Sequence, residues 1–217
     1  MLSVFDESAA AGDLNSVRIG IAAGLFACLS YPLAVFVPLP KLASTSLAAC
    51  FGPALAVASF GLRRLLDWET RRVSSTLGSM LNAAAGALFS AMALVQMAVG
   101  YSEAGNKPSA HVIAIWLGLD VAWDVYIGLG TICFALAMLR HPRFGRVFAF
   151  SGFAIALGLL ALNLYTFPTP PARAGLVDLG PGVGIWYLAV TIQMWRSLSW
   201  AESSPESGRM AGGPPTV

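Results

Sequence analysis

Polar residues are scarce along this chain, and they gather in clumps. Between the clumps lie long apolar stretches at roughly 17–38, 44–64, 73–101, 111–139, 146–167 and 181–200. A helix needs about 20 mostly apolar residues to cross the hydrocarbon of a bilayer, and each stretch is near or above that length. None alternates apolar and polar residues with period two, and all are longer than the roughly ten residues of a barrel strand. The pattern therefore predicts an all-α, polytopic integral membrane protein with six transmembrane helices.

The connections read PLPKLAS, RRLLDWETRR, YSEAGNKPSA, RHPRFGR and PTPPARAGLVDLGP. They leave no room for a soluble domain. Residues 1–16 form an acidic N-terminal lead with Asp6, Glu7 and Asp13 and no basic residue. A cleavable signal peptide has the opposite charge, so the lead is expected to be retained. Residues 201–217 are small, polar and proline-rich, which predicts a disordered cytoplasmic tail.

Prolines and glycines refine this outline. Pro32 and Pro53 fall inside the first and second apolar stretches and predict kinks there. Gly20 and Gly24, like Gly180 and Gly184, are spaced G-x-x-x-G, which lets helices approach closely. Packing within one bundle explains that spacing without a dimer. The same faces leave room for a homo-oligomer or a partner membrane subunit.

Composition agrees with the pattern. The chain of 217 residues is 57% hydrophobic and 11% charged, against about 25% charged in a soluble domain. Its mean hydropathy is +0.71. A net charge of +2 with only two lysines offers no basic surface for nucleic acid. Cys28, Cys50 and Cys133 each sit in an apolar stretch without C-x-x-C spacing and read as small buried hydrophobes. Eleven arginines against two lysines, with abundant alanine, glycine and proline, suggest a GC-rich genome and the plasma (inner) membrane of a bacterium.

Charge also sets the expected orientation. Arg18, Arg63, Arg64, Arg71, Arg72, Arg140, Arg143, Arg146, Arg196 and Arg209 fall on one side of the six stretches. Only Lys41, Lys107 and Arg173 fall on the other. By the positive-inside rule both termini are expected in the cytoplasm. Trp68, Trp195 and Trp200 lie beside the arginines, as an interfacial aromatic belt requires.

Two carboxylates escape this segregation. Asp120 and Asp124 lie deep in the fourth stretch, four residues apart, on one face of a helix with Trp116 above and Thr131 below. Each costs about 2.5–3.5 kcal/mol at a helix centre on the insertion scale. No lysine or arginine lies within any apolar core to pair with them. The pair is expected to share protons, hold a cation or face a water-filled cavity, and an ionisable group at this depth marks a functional site. Asn163, Tyr187 and Gln193 are the candidate polar partners from the fifth and sixth helices; Asn82, Ser90 and Gln96 lie on the third.

No catalytic residue, cofactor or metal site is expected from sequence. His111 and His141 stand apart from other ligands, and neither a Ser-His-Asp arrangement, a Walker loop nor a dinucleotide-binding fingerprint occurs. Three functions remain open. The first is binding or transport of a small lipophilic or ionic solute, with Asp120 and Asp124 as proton- or cation-coupling acids. The second is a membrane-embedded enzyme acting on a lipid or isoprenoid, with an aspartate as general acid. The third is an accessory or assembly subunit of a larger membrane complex.

Overall fold

The computed structural model describes residues 3–68, 72–102 and 108–203, with side chains from Leu14 to Glu202 within those stretches. Among the described residues the regular structure is helical throughout and no strand occurs. The helices are α1 (Ser3–Phe36), α2 (Lys41–Leu66), α3 (Val73–Ser102), α4 (Ala110–Met138), α5 (Gly145–Thr166), α6 (Gly180–Arg196) and the short α7 (Leu198–Ser203). Five are long and apolar enough to cross a membrane, namely α1 from Leu14 onward and α2 to α5. At 17 residues, α6 is the shortest of the six main helices.

Helix ends follow local chemistry. Ser109 caps α4 by accepting the Val112 amide at 3.4 Å. Pro181 sits in the first turn of α6, where its missing N–H leaves no bond unmade. Residues 3–16 are helical and continuous with the first apolar stretch. α6 ends at Arg196 and α7 begins at Leu198; between them the Ser197 hydroxyl donates to the Gln193 carbonyl at 2.8 Å and its amide bonds to Gln193 and Met194. Residues 201–203 of the expected tail belong to α7. The rest of the tail lies outside the described residues, as do Arg71, Lys107 and Arg209.

The helices form a closed ring. Each packs on the one before it in sequence, and α6 returns to pack on α1. Glycines set the closest approaches. A Cβ on Gly20 of α1 would stand 2.6 Å from the Cα of Gly61 on α2, and one on Gly24 would stand 2.7 Å from the Thr191 hydroxyl on α6. The Gly20/Gly24 spacing thus serves packing inside the ring. Gly184 has open space around its Cβ position, so the Gly180/Gly184 spacing brings no helix close.

Ser90 makes an unusual join between α2 and α3. Its hydroxyl donates to the Ala48 carbonyl at 2.8 Å and accepts the Gly52 amide at 2.9 Å. Those two backbone groups are the pair that an i→i−4 rung of α2 would link. The hydroxyl therefore inserts into the ladder just before Pro53, whose ring removes the next donor.

Buried side chains form two clusters. One, with Leu65, Phe134, Met138 and Met194, fills the end where the arginines gather; the other, with Phe51, Phe89, Ile127 and Val183, fills the opposite half. Outward faces remain apolar, as at Met80, Val147, Phe150 and Ile185. A bundle apolar both inside and out suits a hydrocarbon solvent.

Candidate functional site

The two acids of α4 occupy different surroundings one turn apart. Asp124 is the middle residue of the 29-residue helix. It is only 5% exposed. Asp120 is half-buried, about 6 Å nearer the proline-rich end. Among the described residues neither carboxylate has a hydrogen-bond or ion-pair partner. The helix holds them side by side because four residues advance little more than one turn.

Asp120 lines a cavity of about 450 Å3 between α3, α4 and the α5–α6 connection. Trp116, one turn nearer the helix start, forms part of its wall. Gln96 contributes from α3, and Pro170 and Arg173 from the connection. Asp178, farther along that connection, lies within electrostatic range of Asp120, Asp124 and Tyr31 of α1. Its Oδ1 accepts the Gly180 amide at 2.8 Å and so caps α6. A carboxylate at a helix N-terminus is favourable there. Among the described residues Arg173 and Asp178 make no ion pair with each other.

A second cavity of about 250 Å3 lies between α1, α2 and α3, lined by Tyr31, Phe51 and Phe89 and sharing Gln96 with the first. Beside it the rings of Phe51 and Phe89 are 4.2 Å apart, and Trp123, the neighbour of Asp124, meets Phe89 edge-on at 5.1 Å. The acids therefore sit between a polar mouth and an aromatic wall.

The other candidates lie elsewhere. Tyr187 accepts a hydrogen bond from the Asn82 amide at 2.6 Å and lies 2.9 Å from the Thr131 hydroxyl. Thr131 donates to the Ile127 carbonyl at 2.8 Å, so Tyr187 is the donor to Thr131. The network joins α3, α6 and α4 about two turns below Asp124. Asn163 donates to the Leu159 carbonyl of its own helix at 3.1 Å. Gln193 donates to the Arg143 carbonyl at 2.6 Å, at the arginine-rich end. Of the six candidates, Trp116, Asp120 and Asp124 follow one another on α4, Tyr187 belongs to a separate hydrogen-bonded network, Asn163 bonds within α5, and Gln193 lies at the arginine-rich end.

The sequence carries no signal for Tyr31, whereas the proline-rich segment with Arg173 and Asp178 reads either as a rigid surface loop or as a cap over an outward-facing cavity above Asp120.

At the arginine-rich end, His141 is buried between α2 and the α4–α5 turn. Its Nδ1 accepts the Arg143 amide at 3.2 Å, which leaves Nε2 to donate to the Leu65 carbonyl at 3.2 Å. Burial is the main cause that pushes its pKa down to about 4, with the Arg72 and Arg143 charges adding and the Leu65 bond opposing. Arg72 also donates to the Ala137 carbonyl, tying the start of α3 to the end of α4. These contacts fasten helix ends.

Among the described residues no group of three His, Cys, Asp or Glu side chains is placed to hold a metal ion. The arrangement around Asp120 and Asp124 suits protons and small charged solutes. No protein-family model, curated protein or solved structure matches the chain.

Proposed function

We propose that this chain is a multi-pass membrane protein that binds or transports a small or lipophilic solute, with Asp120 and Asp124 as its proton- or cation-coupling acids. The observation that carries this reading is Asp124: an acid at the middle of a long apolar helix, buried, without a partner among the described residues, one turn beneath a carboxylate that lines a cavity. An unpaired acid at that depth is expensive in hydrocarbon. It is retained where it takes up a proton or a ligand.

The setting is six spans with both termini in the cytoplasm of a bacterial inner membrane. Support comes from the arginine asymmetry and from α6, which at 17 residues extends about 25 Å and seats between α1 and α5. In this orientation the Asp120 cavity faces away from the cytoplasm.

The test is purification in mild detergent with native mass spectrometry, comparing the wild type with the Asp120→Asn/Asp124→Asn double variant. A small molecule retained only by the wild type is expected. In proteoliposomes, solute flux with a pH dependence that the double variant lacks is expected as well. Flux identical in both proteins overturns the role of the acids. A stoichiometric partner protein with no bound small molecule favours the accessory-subunit reading.

A further inference from the structure

We infer that the Asp120 cavity takes a zwitterion, with its cationic group between Asp120 and the Trp116 indole and its anionic group at Arg173; this rests on the binding function proposed above. Trp116 and Asp120 are four residues apart on α4 and line the same cavity, so an indole and a carboxylate flank one space. A carboxylate beside an aromatic face is suited to an alkylammonium. Arg173 stands on another wall, exposed, with no ion pair to either acid of α4. Opposite charges thus line one cavity without neutralising each other.

That separation chooses the ligand class. A simple cation would meet Arg173 as well as Asp120. A simple anion would meet Asp120, with Asp124 and Asp178 in electrostatic range behind it. A molecule with both charges satisfies both walls, and Gln96 on α3 adds a donor and an acceptor. A volume of about 450 Å3 falls within the usual range of small-ligand sites. The zwitterion has two sources, a free solute or the headgroup of a bilayer lipid.

The experiment titrates the full-length protein in detergent with glycerophosphocholine and with its two charged halves, choline and glycerol phosphate. Glycerophosphocholine is expected to bind at least roughly tenfold more tightly than either half, as one added charge-assisted contact allows. Arg173→Gln, on an exposed connection, should bring glycerophosphocholine down to the level of choline. Asp120→Asn should weaken choline and glycerophosphocholine together. Phosphatidylcholine in nanodiscs that competes with glycerophosphocholine identifies the headgroup as the source; its failure to compete identifies the free solute.

Choline binding as tightly as glycerophosphocholine, indifference to Arg173→Gln, or binding of none of the three probes overturns the inference. The expected charge preference without flux in proteoliposomes overturns transport and leaves the ligand class standing. Flux that none of the three probes inhibits overturns the ligand class and leaves transport standing.

Discussion

Asn82 on α3 and Tyr187 on α6 are joined by a hydrogen bond of 2.6 Å although their helices are not packed neighbours in the ring. The bond runs across the interior, and Tyr187 passes its own proton on to Thr131 of α4. Tyr187→Phe is expected to lower stability by about 1–2 kcal/mol, the range for interhelical hydrogen bonds in membranes. A double-mutant cycle with Asn82→Ala in detergent unfolding should return a coupling of similar size. Strictly additive losses would sink the link.

Asp124 predicts an opposition between stability and function. Asp124→Asn removes a buried acid that has no partner among the described residues and should raise the unfolding free energy by about 0.5–2 kcal/mol, while weakening solute binding. Thermal melts and titrations on the same preparation check both halves. Loss of stability together with binding would recast Asp124 as a structural group.

Close helix contacts predict contrasting glycine variants. A Cβ on Gly52 would stand 2.6 Å from the Gly86 carbonyl oxygen, and backbone on both sides leaves nothing flexible to yield. Gly52→Ala should therefore lower the melting temperature by several degrees. Gly184→Ala, with open space at its Cβ position, should raise helix stability by about 0.5–1 kcal/mol. Equal effects at the two sites would contradict the packing described for α2 and α3.

His141 predicts a pH dependence with a definite sign. Its folded pKa of about 4 lies below the ordinary value of 6.5. Folding therefore favours the neutral ring, whose stabilisation is fully present above pH 6.5 and is lost as pH falls from 6.5 towards 4. Melting temperatures measured across that window should fall in the wild type and fall less in His141→Gln. A wild type and variant with the same slope would show that His141 does not carry the effect.

Much of the fold was legible because hydrocarbon imposes one strong rule. Every backbone group in a span must be satisfied within the span, so a long apolar stretch reads directly as a helix. The break between α6 and α7 at Ser197 leaves no mark in hydropathy. Asp120 and Asp124 were legible for the same reason as the helices: a charge without a partner breaks the pattern. Tyr187 and Gln193 find their partners, Asn82, Thr131 and the Arg143 carbonyl, in distant parts of the chain, which no local pattern records.

The ring follows the order of the chain, and this bears on how the protein is made. Each new helix can find its packing partner in the helix that entered the membrane just before it. Such local pairing requires little long-range search. The return of α6 to α1, where Gly24 receives Thr191, waits until the end. Synthesis that stalls before Gly180 would leave α1 and α5 with facing seams uncovered and the Asn82–Tyr187 link unmade. The last helix is thus the clasp of the bundle, and its arrival converts a growing row of helices into a closed chamber.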